Sequence, residues 1–448
     1  MKTCAFITLG CKVNQYETQA IRESLAAKGF LETAPEQAAD LYVINTCTVT
    51  SASDEKSRQH IKKVRQKNPG ATVVVTGCYA GADAETIKKM EGVDYVITKA
   101  EEGRLAEIVS RGMAIFPARD GAGKEEGEKG SPGRISAPGL NEETIYNLKI
   151  SRFAGHTRAF LKVEDGCDMY CSYCIIPYVR GGVKSRRPED ILEEAKRLIQ
   201  NGYKEIILTG IHLGAYGRDS RENYQLLDIV HTLSTLPGLE RLRLSSIEIN
   251  EIAHDLIDLA AHTKKVCPHF HIPLQSGDDF ILKRMNRKYT PSQYLEILDS
   301  IRSRIDLPSI TTDVIVGFPG EKDVHFENTV NLCKIAGFSR MHIFPFSARE
   351  GTPAAKMSDH CQPQIIKQRK KILEATADII AFNYKKKFLH RHAEILVEAQ
   401  RDLETGKLCG YSERYIKVLF DGKDMVKNTV VAVHIDELTP SRVTGTLQ

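Results

Sequence analysis

Residues 159–174 read AFLKVEDGCDMYCSYC, and this stretch decides the fold. Its first half, Phe160–Val163, is a short apolar and β-branched run with strand character. Its second half sets Cys167, Cys171 and Cys174 in a CxxxCxxC spacing directly after that strand. Three thiolates so close in sequence can wrap one face of a cubane, ligating three irons of a 4Fe–4S cluster and leaving the fourth iron without a protein ligand. The rival is a structural zinc knot. Zinc asks for a fourth Cys or His in tetrahedral geometry, and none occurs between Cys174 and His212.

Downstream of the cysteines, strand-like and helix-like segments alternate. After Phe160–Val163 come a helix at 188–201, Glu205–Thr209, a helix near 223–236 and Arg241–Ser245, then His269–Ile272, Ile310–Val316 and Met341–Phe346 with helices between. Six strand–helix repeats predict a (β/α) barrel, complete or partial. Upstream, apolar runs at Cys4–Leu9, Leu41–Thr46, Thr72–Thr76 and Tyr95–Ile97 alternate with amphipathic segments near 14–29, 51–67, 83–90 and 101–110, the rhythm of βαβ units and a parallel sheet. Residues 119–139, rich in Gly, Pro, Ser and mixed charge, read as a linker or insertion. Past a basic helix, Ala393–Ala399, Tyr415–Phe420 and Thr429–Ile435 read as strands of a small all-β barrel.

Composition narrows the function. The 448 residues suffice for roughly three domains; 42% are hydrophobic and 27% charged, and no apolar run is long enough to span a bilayer. Collagen-like, low-complexity and integral membrane classes are thereby excluded. The first residues, MKTCAFITLGCKVNQYET, turn polar too soon for a secretory signal. Eleven cysteines, an odd number, are too sparse for a disulfide scaffold, so a reducing cytoplasmic setting is expected, with clustered cysteines serving as metal ligands. A net charge of +4 permits nucleic-acid binding without arguing for it.

Cys11, Cys47 and Cys78 rhyme in context: ITLGC, VINTC and VVTGC. Each falls one or two residues past a predicted parallel strand, and the carboxyl ends of such strands share the ligand-binding edge of an open sheet. Three distant positions are thus delivered to one place, which favours a second 4Fe–4S cluster with one open iron. The alternatives are small buried hydrophobes that happen to be cysteine, or a zinc site lacking a near partner.

The CxxxCxxC segment resembles the radical S-adenosylmethionine enzymes. Together with the N-terminal trio, the whole chain resembles the methylthiotransferase subfamily, which replaces C–H by C–S–CH3. GCKVNQYET at 10–18, CIIPYVRG at 174–181 and TGIHLGAYG at 209–217 are similar to the branch that modifies threonylcarbamoyladenosine beside the tRNA anticodon. The resemblance implies an N-terminal open parallel α/β sheet over 1–115, a linker or insertion over 116–152, a partial (β/α)6 radical core over 153–384 and a TRAM-type, OB-like barrel over 385–448. It implies two 4Fe–4S clusters and S-adenosylmethionine as cofactors. The radical formed from S-adenosylmethionine at Cys167, Cys171 and Cys174 would abstract the adenine C2 hydrogen, and methylated sulfur would be delivered at Cys11, Cys47 and Cys78. It further implies a tRNA substrate at position 37, an electron donor such as a flavodoxin or ferredoxin, a sulfur donor of unknown identity, a monomer and no membrane. Two rivals stand: a relative acting on isopentenyladenosine or a ribosomal protein, and a non-catalytic iron–sulfur or zinc RNA-binding module.

Strand-end loops carry the chemistry of such barrels. Gly210, Glu248, Gln275, Asp313 and Arg349 are the expected cofactor contacts, Gln275 within HIPLQSG at 271–277. His269, His271 and His342 alternate with apolar residues and read as satisfied barrel-core groups rather than metal ligands. Between Lys367 and Arg391 eight Lys/Arg stand against two acids. Lys385, Lys386, Lys387 and Arg391 are expected to meet phosphates, with Tyr411 and Tyr415 as exposed stacking groups. Lys56–Lys67 and Arg284, Arg287 and Lys288 form further basic segments with the same expectation.

Overall fold

The computed structural model describes residues 1–115, 148–222 and 224–448; the segment 119–139 and most of 116–152 lie outside the described residues. Two compact units emerge. One comprises Met1–Arg152 with Gly166–Asp168 and Cys174–Gly182; the other comprises Phe153–Asp165, Met169–Tyr173 and Val183–Gln448.

In the first unit, strands β1 (Thr3–Thr8), β2 (Leu31–Glu32), β3 (Leu41–Thr46), β4 (Thr72–Gly77) and β5 (Tyr95–Val96) form a parallel sheet in the order β2-β1-β3-β4-β5. The central β3, LYVINT, is buried throughout, as expected of a parallel strand covered on both faces. Helices α1 (Lys12–Ala27), α2 (Ser51–Lys67), α3 (Cys78–Ala82), α4 (Ala84–Lys88) and α5 (Leu105–Ile115) connect the strands. Residues of alternate parity, Val43 and Val74 against Ile44 and Val75, feed separate apolar clusters. Thr50 caps α2 by accepting from the Ser53 amide, and Arg65 and Lys67 end it, matching the helix dipole at its C-terminus.

Gly77 ends β4 with φ +94°, and a Cβ there would lie 2.3 Å from the Thr46 carbonyl oxygen and 2.4 Å from Asn45 Oδ1. Gly77→Ala is expected to cost about 3 kcal/mol through strain and overpacking, read as a lowered urea midpoint. A loss below about 1 kcal/mol would show that β3 and β4 yield here.

The second unit opens with β6 (Ala159–Lys162) and a small antiparallel pair, β7 (Glu164–Asp165) and β8 (Lys184–Ser185). Parallel strands β9 (Glu205–Thr209), β10 (Arg241–Leu244), β11 (His269–His271), β12 (Ser309–Val316) and β13 (Arg340–Pro345) follow, paired as β10-β9-β6 and β11-β12-β13. Isolated parallel bridges Leu242↔Val266 and Ser246↔His271 join the two sheets, so six strands run side by side in chain order. Their helices are α6 (Ile176–Arg180, in the first unit), α7 (Pro188–Gln200), α8 (Leu226–Ser234), α9 (His254–His262), α10 (Asp279–Arg284), α11 (Pro291–Arg304), α12 (Asp323–Ala336) and α13 (Pro363–Lys386). Pro188, Pro291 and Pro363 open three of them at positions where no amide partner is lost.

A closed barrel completes the unit: β14 (His392–Val397), β15 (Leu408–Ser412), β16 (Lys417–Phe420), β17 (Val430–Leu438) and β18 (Val443–Leu447), ordered β14-β15-β16-β18-β17. Tyr384 and Phe388 from the end of α13 enter its core beside Ile395, Val418 and Phe420. Strands β2, β7, β8, β15 and β18 were not expected from sequence. Tyr415, expected on a strand, occupies a turn with φ +64°. Among the described residues no helix is long and apolar enough to cross a membrane.

Candidate functional site

Within the first unit, Cys11 caps α1 after β1, Cys47 follows β3, and Cys78 begins α3 after β4. These are adjacent strands ending at one edge, so the three sulfurs share it. Gly10 closes the gap: a Cβ on it would lie 3.0 Å from the Cys47 Cβ. Asn14, one turn into α1, faces the group. Its amide donates to the Leu9 and Thr46 carbonyls at 3.0 and 2.9 Å, and its Oδ1 lies 3.5 Å from Cys11 Sγ and 3.9 Å from Cys78 Sγ.

A buried charge network backs the trio. Arg180 at the end of α6 places Nε 3.2 Å from Cys78 Sγ, one terminal nitrogen 3.0 Å from Glu17 Oε1 and the other 3.0 Å from Asn14 Oδ1. Lys99 donates to Glu17 at 2.5 Å and to Glu102 at 2.8 Å, and Glu102 accepts from Thr76 at 2.9 Å. Burial pushes the Cys78 thiol up to about 11, while Arg180 and Lys99 pull it down; burial likewise raises Cys47. Burial and the Glu17 charge also raise Glu102. The two cations offset part of the burial cost of the Cys78 thiolate, the form in which cysteine binds metal. Three soft donors on one edge, with cations behind them, fit an iron–sulfur cluster.

The other trio divides between the units. Cys167 and Cys174 belong to the first, where the Cys167 amide donates to the Gly181 carbonyl at 2.9 Å. One short helix, α6, separates Cys174 from Arg180, so a single segment carries a cysteine of one trio and the cation that touches the other. Cys171 belongs to the second unit and is buried. The Ser172 amide donates to Met285, its hydroxyl to Arg284, and Asn286 donates to the Tyr170 carbonyl.

Arg287 lies beneath this turn, one terminal nitrogen 3.4 Å from Cys171 Sγ and 3.1 Å from Glu248 Oε1, the other bonded to Glu248 Oε2. Glu248 thus stands beside Cys171, held there by Arg287. Arg287, expected on an RNA-facing surface, is instead a buried partner of Glu248 and Cys171, because its long side chain turns back under the loop after α10. The Met285-Asn-Arg287-Lys-Tyr289 context offered a signal, since Tyr289 is buried against the same guanidinium.

The remaining expected contacts are placed as follows. Gly210 packs on Glu164: a Cβ there would meet Glu164 Oε2 at 2.5 Å, and that oxygen accepts from the His212 amide at 2.8 Å. Burial raises the Glu164 carboxyl to about 8; sequence reading passed it over. Gln275, at φ +62°, bonds its amide to the Asp313 carbonyl at 2.9 Å. Asp313 directs its carboxylate at His271 and His342. Arg349 is half-buried in the loop after β13, where its carbonyl accepts from Thr352.

Lys386, Lys387 and Arg391 are exposed, Arg391 lying 3.8 Å from Asp306. Lys385 is half-buried, and burial together with Arg340 lowers its pKa. A cavity of about 900 Å³ is lined by Arg158, Arg340, Lys385, Tyr411, Arg414 and Tyr415 among others. The expectation of exposed stacking tyrosines is corrected here. Tyr411 lies under Arg158 at 4.6 Å, and Tyr415 packs against Tyr411, His269 and Arg243, the last at 4.3 Å. Arg241 and Arg243 hold that turn by donating to the carbonyls of Tyr411, Ser412, Glu413 and Glu394.

Residues 161–333 match the radical SAM superfamily, and residues 3–98 match the uncharacterized protein family UPF0004. The threonylcarbamoyladenosine tRNA methylthiotransferase MtaB of Bacillus subtilis is 38% identical over 97% of this chain and 94% of its own. That of Thermotoga maritima is 36% identical over 94% and 92%. The tRNA-2-methylthio-N(6)-dimethylallyladenosine synthase of Pelotomaculum thermopropionicum is 31% identical over 100% and 98%. Among solved structures, the radical S-adenosylmethionine methyltransferase TsrM of Kitasatospora setae, with cobalamin and a [4Fe-4S] cluster bound, shares the fold at TM-score 0.54 and 16% identity, over 79% of this chain and 77% of that one.

Proposed function

Because the chain belongs to the radical S-adenosylmethionine tRNA methylthiotransferases, we propose that it converts C2–H to C2–S–CH3 on N6-threonylcarbamoyladenosine at position 37 of tRNA. The observation that carries this reading is the pairing of two cysteine trios, Cys167, Cys171 and Cys174 after β7 and Cys11, Cys47 and Cys78 on one sheet edge, in a chain similar to such enzymes over nearly its full length.

When bound, two 4Fe–4S clusters and S-adenosylmethionine supply hydrogen-atom abstraction, sulfur and the methyl group. The chain's own residues hold and orient. Cys167, Cys171 and Cys174 ligate one cluster; Cys11, Cys47 and Cys78 ligate the other, with Arg180 and Lys99 balancing thiolate charge. Arg287 fixes Glu248 beside Cys171, where the Glu248 carboxylate would meet the ammonium of S-adenosylmethionine. Gly210, Gln275 and Arg349 complete that pocket. No side chain is asked to act as a proton base, since hydrogen-atom transfer needs geometry rather than a tuned pKa. The six parallel strands are read as a partial (β/α)6 core over 153–384, after an N-terminal domain over 1–115. The closed barrel is read as a TRAM-type RNA module over 385–448, with Lys385, Lys386, Lys387 and Arg391 meeting phosphates. A monomer served by a flavodoxin- or ferredoxin-like donor in the cytoplasm completes the reading.

Nucleoside mass spectrometry of tRNA from cells lacking the gene tests the substrate. The methylthio mark on threonylcarbamoyladenosine is expected to vanish and return on complementation; its persistence would reject the assignment. Anaerobic reconstitution is expected to give about eight irons per chain. Zinc in their place would favour a non-catalytic RNA-binding module.

A further inference from the structure

On β12, Thr312, Val314 and Val316 are fully buried, and Thr312 bonds to Tyr294 of α11. Thr311 and Asp313 therefore face the opposite side, away from that helix. There Asp313 pairs in register with His342 of β13. Asp313 Oδ1 lies 3.1 Å from His342 Nδ1 and Oδ2 lies 3.2 Å from His271 Nε2, while His271 Nδ1 is held by the Thr311 hydroxyl at 2.8 Å. His271 is thus bonded through both nitrogens. His342 is bonded through one, and with its side chain 41% exposed it presents Nε2 to open space.

The position is close to the chemistry. The Ile247 amide donates to the His271 carbonyl at 3.0 Å; the next residue, Glu248, holds Arg287 against Cys171. Gln275 is tied to Asp313 by its backbone. Three cations on neighbouring elements already face carboxylates: Lys162 has Asp165 at 2.5 Å, Arg243 has Glu205 at 2.8 Å, and Arg287 has Glu248.

We propose that His342, braced by Asp313, is the specificity-determining group that binds the carboxylate of the threonylcarbamoyl arm. The inference rests on the substrate assigned above. That arm adds to adenine about two peptide-like links, roughly 7 Å, ending in a carboxylate that a neutral isoprenoid substituent lacks. In its protonated form a histidine whose Nδ1–H is taken by an aspartate directs Nε2–H outward as a charge-assisted donor. The histidine hydrogen bonds outweigh burial and hold the Asp313 carboxyl well below the usual range, so the brace stays charged. The three facing ligand atoms lie within 4.8 Å of one another, a spread that these hydrogen bonds account for without a metal ion.

The test uses cluster-loaded enzyme and two tRNA preparations, one bearing threonylcarbamoyladenosine and one its methyl ester. Wild type is expected to favour the acid by about 10- to 100-fold in kcat/KM, carried mainly by KM. His342→Phe is expected to bring that ratio close to one, with His342→Gln between. Dissociation constants of acid and ester stem-loop RNAs should follow the same order, which covers a variant that loads clusters poorly. Inactivity of wild type on the acid tRNA would overturn the substrate reading itself. An active wild type whose preference survives in His342→Phe would overturn the role of His342. A stoichiometric non-iron metal in loaded wild type, lost in His342→Gln, would also overturn it.

Discussion

Arg180→Met is expected to destabilise the protein by about 3 kcal/mol, the lower part of the range for breaking a buried ion pair. The guanidinium is completely buried, as is its partner Glu17. Methionine would fill much of the volume but take from Glu17 the guanidinium, leaving it the Lys99 pair, and take from Asn14 Oδ1 its nitrogen donor. Lys99 is why the upper part of the range is not reached. Urea unfolding of the loaded protein gives the number, and Glu17→Gln in the same chain should restore about half, because the stranded charge goes with it. A cost under about 1 kcal/mol would mean that the network is not closed in solution. The variant should also load its N-terminal iron poorly, since Nε no longer supports the Cys78 thiolate.

The second large effect is a separation of activities. Cys78→Ala is expected to lower iron from about eight to about four per chain and to take methylthio product to the detection limit. Cleavage of S-adenosylmethionine to 5′-deoxyadenosine should continue, because Cys167, Cys171 and Cys174 are intact. Cys171→Ala is the contrast: cleavage and product should disappear together. Methylthio product surviving in Cys78→Ala would remove the N-terminal trio from the reaction.

Much of this was written locally. The CxxxCxxC segment and the rhyming ends of β1, β3 and β4 are short-range patterns, and the strands carrying them are apolar enough to read. The missed strands are brief or polar: β2 and β7 have two residues each, too few for periodicity to register. Side-chain partnerships were harder. Glu17, Lys99, Glu102 and Arg180 look like ordinary charged residues on helices and loops, and only the folding of positions 17 to 180 onto one sheet edge shows that they neutralise each other. Arg287 was misjudged for the same reason, since a cation in a basic run carries no mark of burial. Tyr415 has the strand character of the apolar run that follows it, whereas the chain turns there through a left-handed conformation.

The arginine clasp from β10 bears on how far the C-terminal barrel can move. Arg241 and Arg243 grip backbone oxygens of the C-terminal barrel, and Arg158 and Arg414 add bonds to Glu398 and to the Asp306 and Leu307 carbonyls. A module fastened this way cannot swing like a tethered hook. On the proposed reading, in which this barrel grips the tRNA stem, it is one jaw of a caliper: the protein would fix the distance from stem to reacting base, and a stem longer or shorter by one step would offer the wrong nucleotide.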